Sequence, residues 1–375
     1  MTKGSDTGIY IGLMSGTSMD AIDTVLVDFN NKNPVVIDYE QYPISEQIKS
    51  TVRLINLSSS IEEVTELDAV MGHVFADAVN SIVTQSGVTP DEITAIGSHG
   101  QTVLHLPSET HPRTLQIGDP NIIANKTGIT TIADFRRMDM ASGGQGAPLA
   151  PAFHESVFRN TVSDRIVLNI GGIANITVLP SDSTLNISGF DTGPGNGLLD
   201  DWNQKHNSTP MDRDSAWAMT GKSNDMLLAS FLSDEFFSLP APKSTGRDHF
   251  NLNWVERHLG PNSKLAAADI QATLLSLTVE NIAMSIEQTS VSEAEIYACG
   301  GGAQNAKLMA KLRDRLPRCD LQTTDALNLN PDAIEAIAFA WLARQTFKTM
   351  TGSNHFVTGA AKPEILGGIY QASGH

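Results

Sequence analysis

The stretch FDTGPGN, residues 190–196, places one carboxylate on a tight turn, with an apolar residue before it and small or turn-forming residues after it. Asp191 is the residue in this turn that could do chemistry. Asp-Thr-Gly is the active-site triplet of aspartic proteases, but the same residues could form a turn in a nucleotide-binding domain, or only a turn. These three interpretations predict different features elsewhere in the chain.

The protease interpretation requires two aspartates that share a proton. The other Asp-Thr-Gly triplet in the chain, residues 6–8, precedes the first predicted strand instead of following one. The long helical patterns described below also conflict with the mainly β architecture of these proteases. The sequence therefore disfavours a protease.

Three glycine-rich turns each leave a predicted strand: GLMSGTSMD at residues 12–20, GGIAN at 171–175 and GGGAQN at 300–305. Consecutive backbone amides in such turns form a concave site that binds anions without positive side chains. Any one of the turns is also typical of a hairpin or of a strand–helix connection. Three of them, at corresponding points of a repeated layout, favour nucleotide binding.

Better-known catalytic and phosphate-binding motifs are missing from the sequence. The stretch that ends in Gly221-Lys222-Ser223 lacks the leading glycine of a P-loop, because that position holds Ala216. The stretch GPGNGL lacks the third glycine of the dinucleotide fingerprint, where Leu198 stands. No G-x-S-x-G nucleophile elbow occurs, so a serine hydrolase is not supported either.

Four other polar residues are candidates for contacts with a substrate: His99, Asp134, Arg136 and Glu335. Each has a structural alternative: a hydrogen-bonded histidine beside a strand end, an Arg–Asp pair that fixes a loop, or an acid at the rim of an apolar helix. His105 is better explained as a structural or exposed residue. The segment 239–251 carries Lys243 and Arg247, and the sequence leaves open whether it is a lid or a solvated loop.

The elements that must position these residues follow a pattern that occurs twice. Residues 9–29 read as strand, turn and strand, followed by a third strand at 35–44, a helix around 64–82 that Gly87 ends, and a strand at 93–98. Residues 165–180 repeat the strand, turn and strand, and a third strand at 185–193 runs into Asp191. Further helices are predicted near 198–206, 225–232, 264–288 and 333–347, and a strand, glycine turn and helix at 294–316. The layout predicts a duplicated α/β unit, not a short-period repeat.

The whole composition sets broader limits. A length of 375 residues favours two domains, and a formal net charge of -17 disfavours nucleic acid and anionic lipid as partners. Two cysteines cannot build a disulfide framework or a cysteine-rich zinc site, which favours a reduced cytoplasmic compartment. Neither a signal peptide nor an apolar run of membrane-spanning length is seen, so we expect no membrane association.

The motifs together resemble one family, the anhydro-N-acetylmuramic acid kinases, in the superfamily that includes hexokinase, actin and the Hsp70 ATPase domain. The resemblance runs from Ile9 to about Gly359. It differs from the family pattern at Ala21, where a glycine is usual, and at Gly197, where a larger residue is expected. The motifs that carry it are MSGTSMD, GSHGQTV, ADFR, GGQGAPL, LNIGGIAN, GFDTGPGN, PKSTGRD, CGGGAQN and EAIAFAWLA.

The resemblance implies an α/β protein with a duplicated actin/hexokinase-like (ribonuclease H-like) fold, in which two domains close around a central cleft. The first domain would comprise residues 1–134 and hold the first phosphate loop, and the C-terminal tail, residues 351–375, would complete it. The second domain would comprise residues 135–350 and hold the second phosphate loop, the catalytic aspartate and the adenosine loop.

The reaction implied is the ATP-dependent conversion of 1,6-anhydro-N-acetylmuramic acid and water to N-acetylmuramic acid 6-phosphate and ADP, in the cytoplasmic recycling of peptidoglycan. Asp191 would be the general base for a water that attacks C1, while O6 takes the γ-phosphoryl group. General-base catalysis is typically worth about 10²–10⁴-fold. The alternatives are an ordinary sugar kinase acting on a free hydroxyl and a non-catalytic ATP switch of the actin or Hsp70 type.

The resemblance also implies binding residues and cofactors. ATP would be bound by Gly12, Leu13, Met14, Ser15, Gly16, Thr17, Ser18, Met19, Gly171, Gly172, Asn175, Gly300, Gly301, Gly302 and Asn305. The sugar would be bound by Asp20, His99, Gln101, Asp134, Arg136, Asn196 and Glu335. Mg²⁺ would be carried mainly by ATP, and no protein ligands for it are assigned. The expected partner is the small-molecule sugar, and the oligomeric state stays open, with a homodimer among the alternatives.

Overall fold

The computed structural model describes residues 8–16, 19–31, 33–260, 264–291 and 293–372. The contacts within the chain divide it into two compact units. The first unit comprises Met1–Val157 and Ala333–His375, and the second comprises Phe158–Asp332. We describe each unit by itself.

The strands are short and rich in β-branched and other apolar residues, as the alternating pattern predicts. They are β1 (Ile9–Met14), β2 (Ala21–Asp28), β3 (Val35–Pro43), β4 (Ala95–Ser98), β5 (Gln101–Leu106), β6 (Arg113–Ile117), β7 (Thr131–Ala133), β8 (Arg165–Ile170), β9 (Ile173–Leu179), β10 (Ser188–Pro194), β11 (Glu295–Cys299), β12 (Asp320–Thr323) and β13 (Gly368–Tyr370).

The helices fill the connections between these strands. They are α1 (Glu46–Leu54), α2 (Ile61–Ser86), α3 (Pro120–Thr127), α4 (Arg137–Ala141), α5 (Ala150–Phe158), α6 (Gly197–Asn207), α7 (Asp225–Leu232), α8 (Glu235–Ser238), α9 (Leu252–Leu259), α10 (Ala267–Glu287), α11 (Ala306–Arg315), α12 (Ile334–Phe347) and α13 (His355–Thr358). Among the described residues, no helix is long and apolar enough to cross a membrane.

The five strands of the second unit's sheet follow the same order as five strands of the first unit's sheet, which has β13 as a sixth strand at its edge. In the first unit the order is β13-β7-β4-β1-β2-β3, with β1, β2 and β3 antiparallel and β1, β4 and β7 parallel. In the second unit the order is β10-β9-β8-β11-β12, with β8, β9 and β10 antiparallel and β8, β11 and β12 parallel. The α/β class and the duplicated, ribonuclease H-like layout are therefore confirmed by the pairing of the strands.

Each sheet is covered by helices that supply a separate core. In the first unit, α2 is held at its start by Ser60 and Glu63, which bond each other's backbone, and at its end by Gly87 in the left-handed conformation. Its buried face, which includes Met71 and Phe75, packs on strand residues such as Leu26. The second core is built from α10 and the aromatic residues of α7 and α9 against the other sheet.

Helix α12 lies directly against the first sheet. A Cβ atom on Gly12 would stand 1.9 Å from the carbonyl oxygen of Ala336, and one on Gly97 would stand 2.1 Å from that of Phe339. Gly12 and Gly97 are paired neighbours on β1 and β4, so together they form a bare patch on which the backbone of α12 rests. The close approach of the helix requires that both residues lack side chains.

This contact explains where the division of the chain differs from the expected boundaries of 1–134 and 135–350. Residues 135–157 and α12 group with the first unit. Helix α12 belongs there because it packs on β1 and β4. The tail joins the first unit through β13, which pairs antiparallel with β7. A strand in the tail was not expected from the sequence.

Candidate active site

The first glycine turn starts at the carboxyl end of β1. Gly12, Leu13 and Met14 lie within the strand itself, and Ser15 is the first residue after it. The Ser15 hydroxyl donates a hydrogen bond of 2.6 Å to Oε1 of Gln101, and both side chains are buried. The turn closes where the Met19 amide donates to the carbonyl of Gly16, at 3.2 Å. Two residues of this turn that were expected to bind ATP, Thr17 and Ser18, lie outside the described residues.

His99 and Arg136 meet at the end of β4. Nη2 of Arg136 lies 2.8 Å from Nε2 of His99, and since a guanidinium only donates, the neutral imidazole accepts. Burial lowers the pKa of His99 well below its usual value, and the charge of Arg136 lowers it further. His99 is therefore uncharged at neutral pH. The interpretation of His99 as a hydrogen-bonded residue beside a strand end agrees with this contact, and a contact with the sugar is compatible with it.

Arg136 also holds the glycine loop that follows it. Its Nη1 donates to the carbonyl of Gly146 at 2.7 Å, while its Nε is buried and has no hydrogen-bond partner within the described structure. Desolvation lowers the pKa of Arg136 to about 10, against the opposing charges of Glu335 and Asp139, so the side chain stays protonated at neutral pH. A charged group with an unused donor suits an anionic ligand.

The acids near Arg136 have separate partners. Asp139 is fully buried and accepts from the Gly146 amide at 2.8 Å and from the Thr358 hydroxyl at 2.7 Å, so it fixes the loop to the C-terminal segment. Asp134 lies 3.3 Å from Arg137, the neighbour of Arg136, and has a positive φ of 64°. Asp139 therefore acts on the backbone of the loop.

Glu335 lies in the first turn of α12, where a negative charge is favourable. Its side chain reaches solvent. Desolvation by the surrounding protein nevertheless raises the pKa of its carboxyl group, the nearby charge of Asp23 raises it further, and Arg136 lowers it. Asp20 is exposed at the start of β2. The first unit thus brings His99, Arg136 and Glu335 into one electrostatic group, with Ser15 and Gln101 beside it.

Asp191 lies near the end of β10, opposite Asn175 on β9, where a bulge interrupts the pairing. Its Oδ2 accepts two hydrogen bonds, from the Thr245 amide at 2.9 Å and from the Ser244 hydroxyl at 3.0 Å. Its own amide donates to the carbonyl of Lys243 at 3.0 Å. Burial raises the pKa of Asp191, and the two donors lower it. The result is a fixed, partly buried carboxylate that can take a proton.

The residues that hold Asp191 were missed by sequence reasoning. Ser244 and Thr245 lie in the segment whose role was left open, more than fifty positions further along the chain. The motif PKSTGRD was the only signal, and it pointed to the segment without assigning it a partner.

The second glycine turn, Gly171-Gly172, joins β8 to β9, and its carbonyls accept hydrogen bonds from the turn after β10. The Asn196 amide donates to the Gly171 carbonyl at 2.8 Å, and the Gly195 amide donates to that of Gly172 at 3.1 Å. Arg247 lies over this turn and is paired with Asp201 at 2.6 Å. A Cβ on Gly197 would stand 2.4 Å from Nη1 of Arg247. The departure from the family pattern at position 197 thus makes room for the guanidinium.

The third glycine turn follows β11. Gly300 has a positive φ of 78°, and a Cβ there would stand 2.4 Å from Oδ1 of Asn169 on β8. Asn305 caps α11 and also donates from Nδ2 to the Ser215 hydroxyl at 2.8 Å. The turn at 300–302 therefore lies beside β8 and the turn after β10, in the same unit as Asp191.

The donor types at the site do not form a metal centre of their own. Within the described ranges, no group of three or more His, Cys, Asp or Glu side chains is arranged to hold a metal ion. Asp191 already accepts two hydrogen bonds, and Asp201 is paired with Arg247.

Comparison with known proteins gives one consistent family. The family model described as anhydro-N-acetylmuramic acid kinase matches residues 8–372. A relative of that name from Shewanella baltica (strain OS223) is 50% identical over 365 residues, which is 97% of this chain and 98% of its own length. Another, from Coxiella burnetii (strain RSA 493 / Nine Mile phase I), is 47% identical over 362 residues, 96% of this chain and 97% of its own.

A solved structure with a similar chain path is a ROK family glucokinase from Streptomyces griseus in complex with glucose and AMPPNP. It is 13% identical in sequence, with a TM-score of 0.41, and the aligned region covers 90% of this chain and 100% of the glucokinase chain. Our assignment of the fold rests on the pairing of the strands in the two sheets, not on this likeness.

Proposed function

We infer the reaction of this chain from the family to which it belongs, the anhydro-N-acetylmuramic acid kinases. The observation that carries the inference is 50% identity to a kinase of that name over nearly the whole of both chains. The chain is an ATP-dependent kinase that acts on 1,6-anhydro-N-acetylmuramic acid, in peptidoglycan recycling. The products are N-acetylmuramic acid 6-phosphate and ADP.

The bicyclic sugar has no free 6-hydroxyl group, because O6 is bonded to C1. Water must therefore add to C1 as the C1–O6 bond breaks, while O6 forms a bond to the γ-phosphorus and ADP leaves. The proton released by the water has to be accepted by a base. We propose that Asp191 is this base. Its support is the geometry: a carboxylate fixed by Ser244 and Thr245, with a pKa raised by burial toward the range useful for catalysis.

The sugar carries a lactyl carboxylate, and an acidic protein must supply a local positive partner for it. We propose Arg136, which is charged, surrounded by protein and left with an unused Nε donor. A planar guanidinium suits a carboxylate better than an ammonium group does. His99, which accepts from Arg136, orients it. Asp20, Gln101, Asp134, Asn196 and Glu335 remain proposed contacts with the sugar.

ATP is the phosphoryl donor. We propose that the three glycine turns supply backbone amides to its phosphates and to its adenosine, and that Arg247, above Gly172, adds a positive charge. Mg²⁺ would enter with ATP, its ligands being mainly phosphate oxygens, and would neutralise charge that develops on the transferred group. The chain's own part is to position the phosphates.

Two measurements separate this reaction from its alternatives. A non-catalytic ATP switch would not release ADP in proportion to added sugar. An ordinary kinase acting on a free hydroxyl would release ADP with a sugar, but would not incorporate ¹⁸O from labelled water at C1. We expect one ¹⁸O atom at C1 for each ADP formed. Product without the label would refute the hydrolytic reaction.

The cellular compartment and the oligomeric state complete the proposal. We propose that the protein acts in the cytoplasm, in keeping with a sequence that has only two cysteines, Cys299 and Cys319. The oligomeric state stays open, with a homodimer among the alternatives. Light scattering at micromolar concentration decides it, since a mass near the 40.2 kDa of one chain would exclude a dimer.

A further inference from the structure

A short segment of the second unit, residues 243–249, lies against Asp191, and we call it the clamp segment. Its middle residues donate both of the hydrogen bonds to Oδ2 of Asp191, and its first residue accepts the bond from the Asp191 amide. Two of these three contacts use the backbone of the segment. The position of its backbone therefore contributes directly to holding Asp191, and the Ser244 hydroxyl adds the one side-chain contact.

The clamp segment has no regular secondary structure, so something else must hold it in place. Its first residue, Lys243, lies over the ring of Phe236 and donates from Nζ to the Phe236 carbonyl at 3.1 Å. Arg247 is paired with Asp201 on α6. Both contacts are partly exposed, and an exposed ion pair such as Arg247–Asp201 contributes little to stability.

The third anchor, at His249, is less exposed. Nε2 of His249 lies 3.1 Å from Oδ2 of Asp234, the residue that caps α8. The same oxygen accepts from Nε1 of Trp254 at 2.8 Å, and Trp254 is buried in the core. The imidazole stacks on the ring of Phe250, with 4.2 Å between the ring centroids. His249 is thus attached to the rigid part of the unit on two sides.

His249 is also attached to the residue that binds Asp191. Its Nδ1 lies 3.4 Å from the hydroxyl of Thr245, and its amide donates to the Gly246 carbonyl at 3.2 Å. Through this tight turn, the position of His249 determines the position of Thr245. The path runs from the core through Asp234 and His249 to Thr245 and then to Asp191.

We propose that His249 and Asp234 are positioning residues for the general base: they hold the clamp segment so that the Asp191 carboxylate keeps the orientation needed to take a proton from water. This inference rests on the proposed role of Asp191. It assigns His249 no contact with substrate. It predicts that loss of the His249–Asp234 contact lowers turnover and leaves ligand binding intact, because a misplacement of a catalytic group acts on the chemical step.

The main test compares His249→Ala with His249→Gln in the full-length protein. The alanine variant should lose about tenfold in kcat, with KM for ATP and for the sugar changed less than about twofold. Glutamine can donate to Asp234 from its amide and should restore most of kcat. Lys205→Ala, which removes a surface ion pair with Glu256 in the same unit, is the matched control and should behave as the unmodified protein.

A second measurement does not depend on His249. Ser244→Ala removes one donor that lowers the pKa of Asp191. The acid limb of the kcat profile should therefore move to higher pH. The titratable groups around the carboxylate are Lys243, whose ammonium donates to the Phe236 and Phe237 carbonyls, and, beyond Thr245, His249 and Asp234, which contact each other. All of them remain in this variant.

The outcomes are distinct. Unchanged kcat in His249→Ala, or a drop in kcat that glutamine does not restore, would overturn the positioning role. Asp191→Asn decides whether the base assignment itself stands: if this variant turns over normally, the proposed base and the clamp inference both fail. If Asp191→Asn is inactive and His249→Ala is normal, only the clamp inference fails.

Discussion

The two units share the order of five strands and place different chemistry at equivalent points. After β4 in the first unit comes His99, whose ring contacts Arg136; after β11 in the second comes Gly300, which has no side chain. The connection after β1 contains Ser15, bonded to Gln101, whereas the connection after β8 is the bare pair Gly171-Gly172. Side chains dominate the first site and backbone the second. Under the proposed function, the side chains of the first unit would contact the sugar acid, and the glycine turns of both units would contact ATP.

Asp191 is the exception in the second unit, since it is a side chain that we expect to take part in the chemistry. Asp191→Asn should fold and bind ATP but lose at least about 10²-fold in turnover, because an amide cannot accept the proton. Steady-state kinetics and ATP titration measure the two effects. Asp182→Asn, a change at an exposed turn of the same unit, is the control. Turnover within tenfold of the unmodified protein would remove Asp191 from the chemistry.

Arg136 tests the first unit in the same way. Arg136→Lys keeps the charge but cannot reach His99 and Gly146 while also presenting a planar pair of donors. The sugar affinity should fall by about 1.5–3 kcal/mol, the range for a charged hydrogen bond, and ATP affinity should change little. Calorimetric titration with each ligand measures this.

The neighbouring Arg137→Lys is the matched control, since Arg137 is exposed and pairs with Asp134. Arg136 also holds the loop at Gly146, so the melting temperature should be followed in both variants. Equal losses of sugar and ATP affinity, with a lower melting temperature, would show that Arg136 serves only to hold the loop.

Gly12 opens the first glycine turn and Gly171 opens the second, and replacing them by alanine should change the stability of the protein by different amounts. Gly12→Ala places a methyl group 1.9 Å from a helix carbonyl, whereas Gly171→Ala places one no nearer than 3.5 Å to another atom. Overpacking typically costs about 1–3 kcal/mol, so the first change should destabilise by that amount and the second by far less. Urea denaturation measures both. Equal effects would contradict the direct packing of α12 on β1.

Protonation of a buried histidine should have the smallest effect, measured as the change in the free energy of unfolding per pH unit. Burial lowers the pKa of His154, on α5 of the first unit, to about 3. In the unfolded chain His154 takes up a proton near pH 6.5, whereas in the folded chain it stays neutral down to about pH 3. The free energy of unfolding is therefore highest above pH 6.5 and falls as the pH decreases. The loss is about 1.4 kcal/mol per pH unit below pH 6. The unfolding free energies of the unmodified protein and His154→Gln should therefore converge between pH 7 and pH 5. Parallel curves would contradict this.

Much of the fold follows from patterns that the chain states locally. Alternating residues such as Ile9 and Ile11 predicted the strands, and Gly87 predicted the end of α2, since each depends on neighbours within a few residues. Strand β13 was missed because three residues carry no periodicity, and it exists only through its pairing with β7. The sequence also could not assign α12 to a unit, because the spacing of its residues does not show that α12 packs on Gly12 and Gly97.

The site divides in the same way. Asp191 and His99 were candidates because each lies at the end of a predicted strand, and Arg136 because it precedes the glycine loop GGQGAPL. Ser244, Thr245 and His249 were not assigned, because their contacts with Asp191 and Asp234 join residues far apart in the sequence. Such contacts depend on the tertiary fold, which no local pattern reports.

The resting place of α12 on Gly12 and Gly97 has a consequence for the order in which the protein is made. Strands β1 and β4 leave the ribosome early, whereas α12 is synthesised only after the whole of residues 158–332. At ~5–20 residues per second, the glycine patch stays uncovered for on the order of 10–40 s. During that time the second unit can already be folded while the first unit still lacks α12. A nascent chain stalled before residue 333 should therefore be protease-sensitive in β1 and β4, and resistant once α12 has emerged.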